Sequence, residues 1–480
     1  MHDLNWLILT PSLVIAGFAL AVLCVDIISP RNRGVVSAVV ALVGSLAAMV
    51  ACYYLWGRTA HGLGDMLALD SFSLFANLIF LSGTALTIAI SVGYLKQEGA
   101  GRSEYYLLLL TATLGMMLMA SATDLLMIFL GLELMSLSLY VLAGFTRGRL
   151  VSNEASLKYL LLGAFASGFL LYGIALVYGA VGSTSLRAVA EALSQGTVHS
   201  DLLLVSGMGL LIVGLAFKVA AVPFHMWAPD VYEGAPAPVA AFMSAGPKAA
   251  AFAAFLRVLV YGMGPLDDHW RGVLWVLAVL TMTVGNLSAL GQHSIKRMLA
   301  YSSVAHAGYV LVALVAGGDS GTSAALFYLL AYTFMNLGAF AVVILVARKG
   351  EENLDISGYA GLGFRHPVLG LAMTVFMLSL AGLPPTAGFF GKFYIFSAAV
   401  QAGQIPLTVI GVLNSLVSVY FYLGVVVNMY MKRPLTDAGV PAIPLLTRIA
   451  VLVAVAATLY LGLSPAGMLS LASETVTSLM

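Results

Sequence analysis

Polar side chains along this chain are pushed to the ends of long apolar runs. A helix of about 20 apolar residues spans the hydrocarbon of a bilayer, and fourteen runs approach or reach that length: 4–28, 35–56, 71–95, 104–121, 124–145, 157–181, 202–232, 238–263, 272–291, 294–316, 322–347, 367–400, 405–431 and 441–463. Runs seven and twelve are too long for one straight crossing, and both carry proline in the middle. Proline removes a backbone donor and clashes with the preceding turn, so both spans are expected to break and free carbonyls that only a polar cavity satisfies.

Composition turns that pattern into a class. Of 480 residues, 61% are hydrophobic and only 9% charged, against about 25% charged in soluble domains, and the mean hydropathy is +1.00. The expected fold is an all-α polytopic membrane protein. The longest polar connections, 182–201 and 348–366, are too short to hold a soluble core, so the chain reads as a single membrane domain. The first run lacks a basic leader and a small-residue cleavage site, and reads as a permanent span rather than a signal peptide. A net charge of +1 offers no basic surface for nucleic acid. Cys24 and Cys52 form neither a disulfide framework nor a metal motif.

Lysines and arginines set the orientation. The odd-numbered loops hold thirteen (Arg31, Arg33, Lys96, Arg102, Arg147, Arg149, Lys296, Arg297, Arg348, Lys349, Arg365, Lys432 and Arg433) and the even-numbered loops three (Arg58, Arg187 and Arg271). The odd loops are therefore expected in the cytoplasm, with both termini outside.

Charges left inside the spans are the candidate chemistry. An ionised side chain at the bilayer centre costs roughly 2.5–3.5 kcal/mol on insertion scales and needs a protein or water partner. Residues 214–248, GLAFKVAAVPFHMWAPDVYEGAPAPVAAFMSAGPK, combine Lys218, Lys248 and His225 with five prolines. A broken helix beside a buried charge is a usual form of ion site. Lys218 and Lys248 lie too deep to reach an interface on a stem of about 6 Å. Lysine suits proton work, because desolvation brings it toward a range where it releases and regains a proton. Glu133, in the middle of span five, reads as a proton-accepting carboxylate held by a nearby lysine, or as a protonated packing group.

Lys392, in GLPPTAGFFGKFYIF, lies seven residues beyond Pro385 and again far from either end. The stretch is not a phosphate loop, since Thr386 and Phe393 stand where that motif needs Gly and Ser or Thr. For His225 and His306, relay and structural roles both stand. For Lys158, snorkelling to the surface and function both stand, and for Arg257 snorkelling is the expectation. Spans seven and twelve each pair a proline break with a lysine, in opposite order, which suggests two related halves.

FKVAAVPFHMWAPDVYEGAPAPVAAFMSAGPKAAAF, SIKRMLAYSSVAHAGYVLVAL and LAGLPPTAGFFGKFYIF resemble the signature stretches of the antiporter-like membrane subunits of proton-pumping NADH:quinone oxidoreductase, respiratory complex I. The resemblance covers nearly the whole chain. It implies helices 1–3 over residues 1–103, a first antiporter-like half over 104–263 (helices 4–8), an inverted second half over 272–431 (helices 9–13), and helix 14 with the C-terminus over 441–480. It also implies Glu133 and Lys218 as a charge pair, Lys248 as the central relay and Lys392 as the distal lysine, a place where other members carry Glu. The chain stops soon after span fourteen, without the long lateral helix some members carry.

The resemblance implies a bacterial inner-membrane subunit that moves protons outward, driven by redox chemistry elsewhere in the complex. The expected partners are other membrane subunits of the complex, its peripheral redox arm and lipid. The complex as a whole would use NADH, FMN, iron–sulphur clusters and quinone. This chain itself is expected to bind no cofactor or metal: it has no GxGxxG turn after a strand and too few cysteines for a cluster. Rival readings are a cation/proton antiporter subunit of the same superfamily, a haem oxidoreductase with only His225 and His306 as deep axial candidates, and a structural scaffold.

Overall fold

In hydrocarbon every backbone N–H and C=O must be satisfied inside its own segment, and this chain meets the demand with helices almost throughout. The computed structural model describes residues 6–28, 33–347, 355–433 and 444–476. Arg31, Arg348 and Lys349, three of the cations used for orientation, lie outside the described residues.

The first three spans are α1 (Trp6–Ile28), α2 (Arg33–Tyr54) and α3 (Ser71–Glu98). A short antiparallel hairpin, β1 (Ala60–Gly62) and β2 (Leu67–Leu69), joins α2 to α3. Then follow α4 (Ser103–Ser121), α5 (Leu125–Ala143), α6 (Leu150–Val181) and a short surface helix, α7 (Leu186–Gln195). The seventh crossing is split into α8 (Asp201–Val219) and α9 (Trp227–Gly234). The eighth, α10 (Ala237–Phe255), runs on as a π-helical stretch, Leu256–Gly262. Next come α11 (Asp267–Leu290), α12 (Ile295–Ala316), α13 (Gly318–Val346) and one turn, α14 (Leu362–Arg365). The twelfth crossing is split into α15 (Pro367–Ala381) and α16 (Ala387–Gln401). α17 (Ile405–Met431), α18 (Leu445–Leu463) and α19 (Pro465–Val476) complete the order.

Thirteen of these stretches are long and apolar enough to cross a membrane unaided, and α15 is a shorter apolar helix. With α15 and α16 counted as one crossing, the fourteen expected spans are all present, and the two expected to break are the two that do. The first break begins three residues before Pro223. Ala220 takes the left-handed conformation at φ 59° and closes α8 through its N–H.

The layering positions the chemistry. α10, α12 and α13 are almost wholly buried, whereas fewer than half of the residues in α1, α2, α6 and α17 are buried. A buried ion pair fastens α10 to this framework at one end of the bundle. Arg257 donates to Asp70 at 2.7 and 2.9 Å and to the Ala120 carbonyl at 2.9 Å, with its guanidinium over the Phe72 ring. The expectation that Arg257 snorkels is therefore overturned: it is 2% exposed, because Asp70, at the N-cap of α3, offers it a buried carboxylate partner.

Candidate functional site

Both helix breaks leave carbonyl groups that need donors, and at each break the sequence supplies them. At the first, the N–H groups of Ala220 and Ala221 turn back to Phe217 and Ala216, and the indole N–H of Trp227 donates to the Phe217 carbonyl at 3.0 Å. The Val222 N–H donates to Thr281 of α11 at 2.9 Å, so a helix of the proposed second half completes the break in the first. At the second break Lys392 is itself the donor. Its Nζ reaches the carbonyls of Leu380 at 3.1 Å and Ala381 at 3.0 Å and the Ser415 hydroxyl at 2.9 Å. An ammonium at the C-terminal end of α15 meets the negative end of that helix dipole. Gly382 makes the approach possible: its φ is +86°, and a Cβ there would stand 2.9 Å from Lys392 Cδ.

Lys218 closes the last turn of α8 and is 4% exposed. Its Nζ donates to Ser136 at 2.7 Å. Glu133, one turn back on the same helix, instead accepts from the Ser167 hydroxyl of α6. The charge pair implied by the resemblance is therefore open in this structure, with each charge on its own serine. Glu133 is only half buried and lies on the same stripe of α5 as exposed Leu126, Leu130, Leu137 and Val141.

Lys248, in the fully buried α10, donates to the carbonyl and the hydroxyl of Ser303, both at 2.8 Å. The neighbouring Ser302 shares a hydrogen bond with Tyr422 of α17. The Tyr422 hydroxyl also meets His306 Nε2 at 3.0 Å, and His306 Nδ1 meets the Tyr328 hydroxyl at 2.5 Å. Tyr328 packs on Gly391, next to Lys392. His306 thus stands between Lys248 and Lys392, with both ring nitrogens engaged. Lys392 also sits 4.8 Å over the Tyr309 ring, beside a cavity of about 580 Å³ lined by Gly382, Phe393, Ser415 and Val419 among others. His225 lies in the unwound stretch, half buried, with Nδ1 unpartnered.

Lys158 belongs to a different cluster. Its Nζ pairs with Glu154 and Asp230, each at 2.8 Å, and its side chain is 42% exposed. Arg297 of α12 pairs with Asp230 at 2.9 Å and Glu233 at 2.8 Å. Lys296, expected in a loop, is fully buried and donates to the Ala235 carbonyl at the end of α9. α9 is thus held from both sides by cations of α6 and α12.

Sequence reading passed over Ser136, Tyr328, Tyr422 and Asp230, and took Arg297 only as a loop cation. Ser136 carried a signal, since it follows Glu133 by three residues and shares its helix face. The tyrosines carried none, because a tyrosine in an apolar run is ordinarily packing. Among the described residues, no three His, Cys, Asp or Glu side chains gather as a metal site.

Comparison with known proteins places this geometry. Residues 122–418 match the family model described as NADH:quinone oxidoreductase/Mrp antiporter, TM. The chain is 51% identical to NADH-quinone oxidoreductase subunit N of Trichlorobacter lovleyi, covering 99% of this chain and 98% of that one. It is similar to a chain in the structure of respiratory complex I from Thermus thermophilus with bound aureothin: TM-score 0.83, 40% identity, 96% of this chain and 99% of that one. A chain of the Mrp complex from Dietzia sp. shares the fold at TM-score 0.86 and 24% identity, over 99% of this chain and 98% of that one. The chain belongs to the NADH:quinone oxidoreductase/Mrp antiporter transmembrane family.

Proposed function

We propose that this chain is subunit N of a proton-pumping NADH:quinone oxidoreductase, and that protons cross the membrane along Glu133, Lys218, Lys248, His306 and Lys392, with His225 between the first two lysines. The carrying observation is that three ionisable lysines sit at the breaks or in the most buried helix, each on oxygen acceptors rather than carboxylates. An ammonium held only by neutral oxygens is closer in free energy to its neutral amine than one paired with a carboxylate, so its proton is transferable. Closing Lys218 onto Glu133 would favour the charged form, and opening the pair would release a proton toward Lys248. Moving one charge against 100 mV needs about 2.3 kcal/mol, within reach of one partly desolvated ion pair.

The driving redox chemistry, with NADH, FMN, iron–sulphur clusters and quinone, belongs in this reading to other subunits, and energy arrives through contacts with neighbouring membrane subunits. The two five-helix halves, 104–263 and 272–431, act as inverted repeats, each with one break. The membrane is the bacterial inner membrane, with the odd loops cytoplasmic and both termini outside. The antiporter branch of the family is the second reading, and copurification with peripheral redox subunits separates the two. The relatives named subunit N, at 40–51% identity, favour the first.

The test compares proton pumping with NADH oxidation in the whole complex for Glu133→Ala, Lys218→Ala and Lys248→Ala. Loss of pumping in assembled complexes is expected. Wild-type pumping in all three would overturn the assignment.

A further inference from the structure

We infer that Tyr140 and Tyr159 form an aromatic seat that holds the Lys218 ammonium whenever it is off Glu133. This rests on the proposed role of the Glu133 and Lys218 pair and supplies the second station that role requires. A buried ammonium that leaves its carboxylate loses its counter-charge without regaining water, and such a group is strongly destabilised unless something replaces the lost interaction. One hydrogen bond to Ser136 leaves two of its N–H groups to be accommodated.

Ring faces take that place. Lys218 Nζ lies 5.3 Å from the Tyr159 ring centroid, 5.5 Å from that of Tyr140 and 6.0 Å from that of Phe217. At these separations the negative face of a ring attracts a cation, the more so where water is excluded. Tyr140 and Tyr159 meet edge to face at 4.9 Å and 77°, so they wall the ammonium from two directions. Trp227 stacks behind Tyr159 at 4.7 Å and 23°. Its indole is tied to the Phe217 carbonyl, one residue before the lysine, so the wall and the cation share one anchor.

The placement of Tyr140 depends on one small residue. A Cβ on Gly163 of α6 would stand 2.1 Å from the Tyr140 hydroxyl, so only glycine admits the ring there. Glu133, Ser136 and Tyr140 follow at spacings of three and four and share a face of α5 over successive turns. A lysine stem reaching along that face meets a carboxylate at one turn and a hydroxyl with ring walls at the next. The two stations make the pair switchable, because neither position leaves the charge uncompensated.

The experiment tunes the ring without changing its shape. In the whole complex, Tyr159 is replaced by phenylalanine and then by mono-, di- and trifluorophenylalanine, and proton pumping per NADH oxidised is measured in membrane vesicles alongside complex content. Fluorine withdraws charge from the ring face and leaves packing nearly intact. Relative to the phenylalanine variant, pumping per NADH is expected to fall with each fluorine, by roughly threefold to tenfold at the third. A flat series in assembled complexes overturns the seat. If the trifluoro variant does not assemble, the same series at Tyr140 decides. Lys218→Met separates the two levels. Loss of pumping there beside a flat fluorine series removes only the seat, whereas undiminished pumping removes the underlying proton path.

Discussion

The ammonium of Lys218 rests 2.7 Å from the Ser136 hydroxyl, one helical turn away from the carboxylate of Glu133. Ser136 donates its own O–H to the Leu132 carbonyl, so its oxygen is oriented as an acceptor toward the lysine. Ser136→Ala removes that acceptor and leaves Glu133 as the polar partner on the same face. The expected outcome is a pair biased toward closure. Pumping should slow by about tenfold to a hundredfold, on the scale of one charged hydrogen bond of about 1.5–3 kcal/mol, while complex content in membranes stays near wild type. Vesicle acidification normalised to subunit content measures it.

Gly382 and Lys392 are locked by sterics. Gly382→Ala places a Cβ 2.9 Å from Lys392 Cδ and 3.2 Å from its Nζ, on a backbone at φ +86°. The strain is about 1–3 kcal/mol. Its relief moves the amine off the Leu380 and Ala381 carbonyls. Reduced thermal stability and loss of pumping are expected together, read by unfolding of the detergent-purified complex and by vesicle assay.

The Asp70–Arg257 pair is buried on both sides, at 7% and 2% side-chain exposure. Removing one partner leaves an uncompensated charge, so Arg257→Met and Asp70→Asn should each destabilise by about 3–5 kcal/mol. The double variant should cost clearly less than the sum, because both charges leave together. Melting of the purified complex for the four members of the cycle measures the coupling.

Span number and both breaks were legible in the sequence because hydrophobic length and proline act locally, through bilayer thickness and a missing N–H. The burial of Lys218, Lys248 and Lys392 was legible for a related reason: each lies too deep in its run for a lysine stem to reach an interface. What the lysines touch was not legible. Ser303 and Ser415 reach Lys248 and Lys392 across 55 and 23 residues, and Tyr422 reaches His306 across 116, and only the packing of α10, α12, α16 and α17 brings them together. Arg257 was misread because depth in a span was judged from the bilayer alone, and a carboxylate 187 residues earlier settled its position.

Asp230 bridges Lys158 of α6 and Arg297 of α12, and all three side chains are partly exposed. Pairs of this kind contribute about 0–1 kcal/mol each and weaken with salt. Lys158→Ala should therefore leave stability almost unchanged. Asp230→Asn, which strips a partner from both cations, should lower the melting temperature measurably at low ionic strength, and the difference should shrink as salt is raised to about 1 M. A salt-independent loss would show that the network is packed rather than solvated.

Lys392 carries a sign-dependent constraint. Its Nζ donates to the carbonyls of Leu380 and Ala381 at the C-terminal end of α15, where the helix carries a partial negative charge of about half an electron. A carboxylate in that place would accept where acceptors already stand and add repulsion from the dipole. Lys392→Glu should therefore assemble less well than Lys392→Met. Methionine leaves the two carbonyls short of a donor, a loss of about 1–3 kcal/mol for each unsatisfied group, while glutamate adds a charge of the wrong sign to the same deficit. Arginine keeps both donor and sign, so Lys392→Arg should assemble best of the three and pump poorly, because guanidinium does not release its proton. Complex content by native gel and pumping per NADH in vesicles give the two rankings. Equal assembly of the glutamate and methionine variants would show that the end of α15 does not select the sign of the charge.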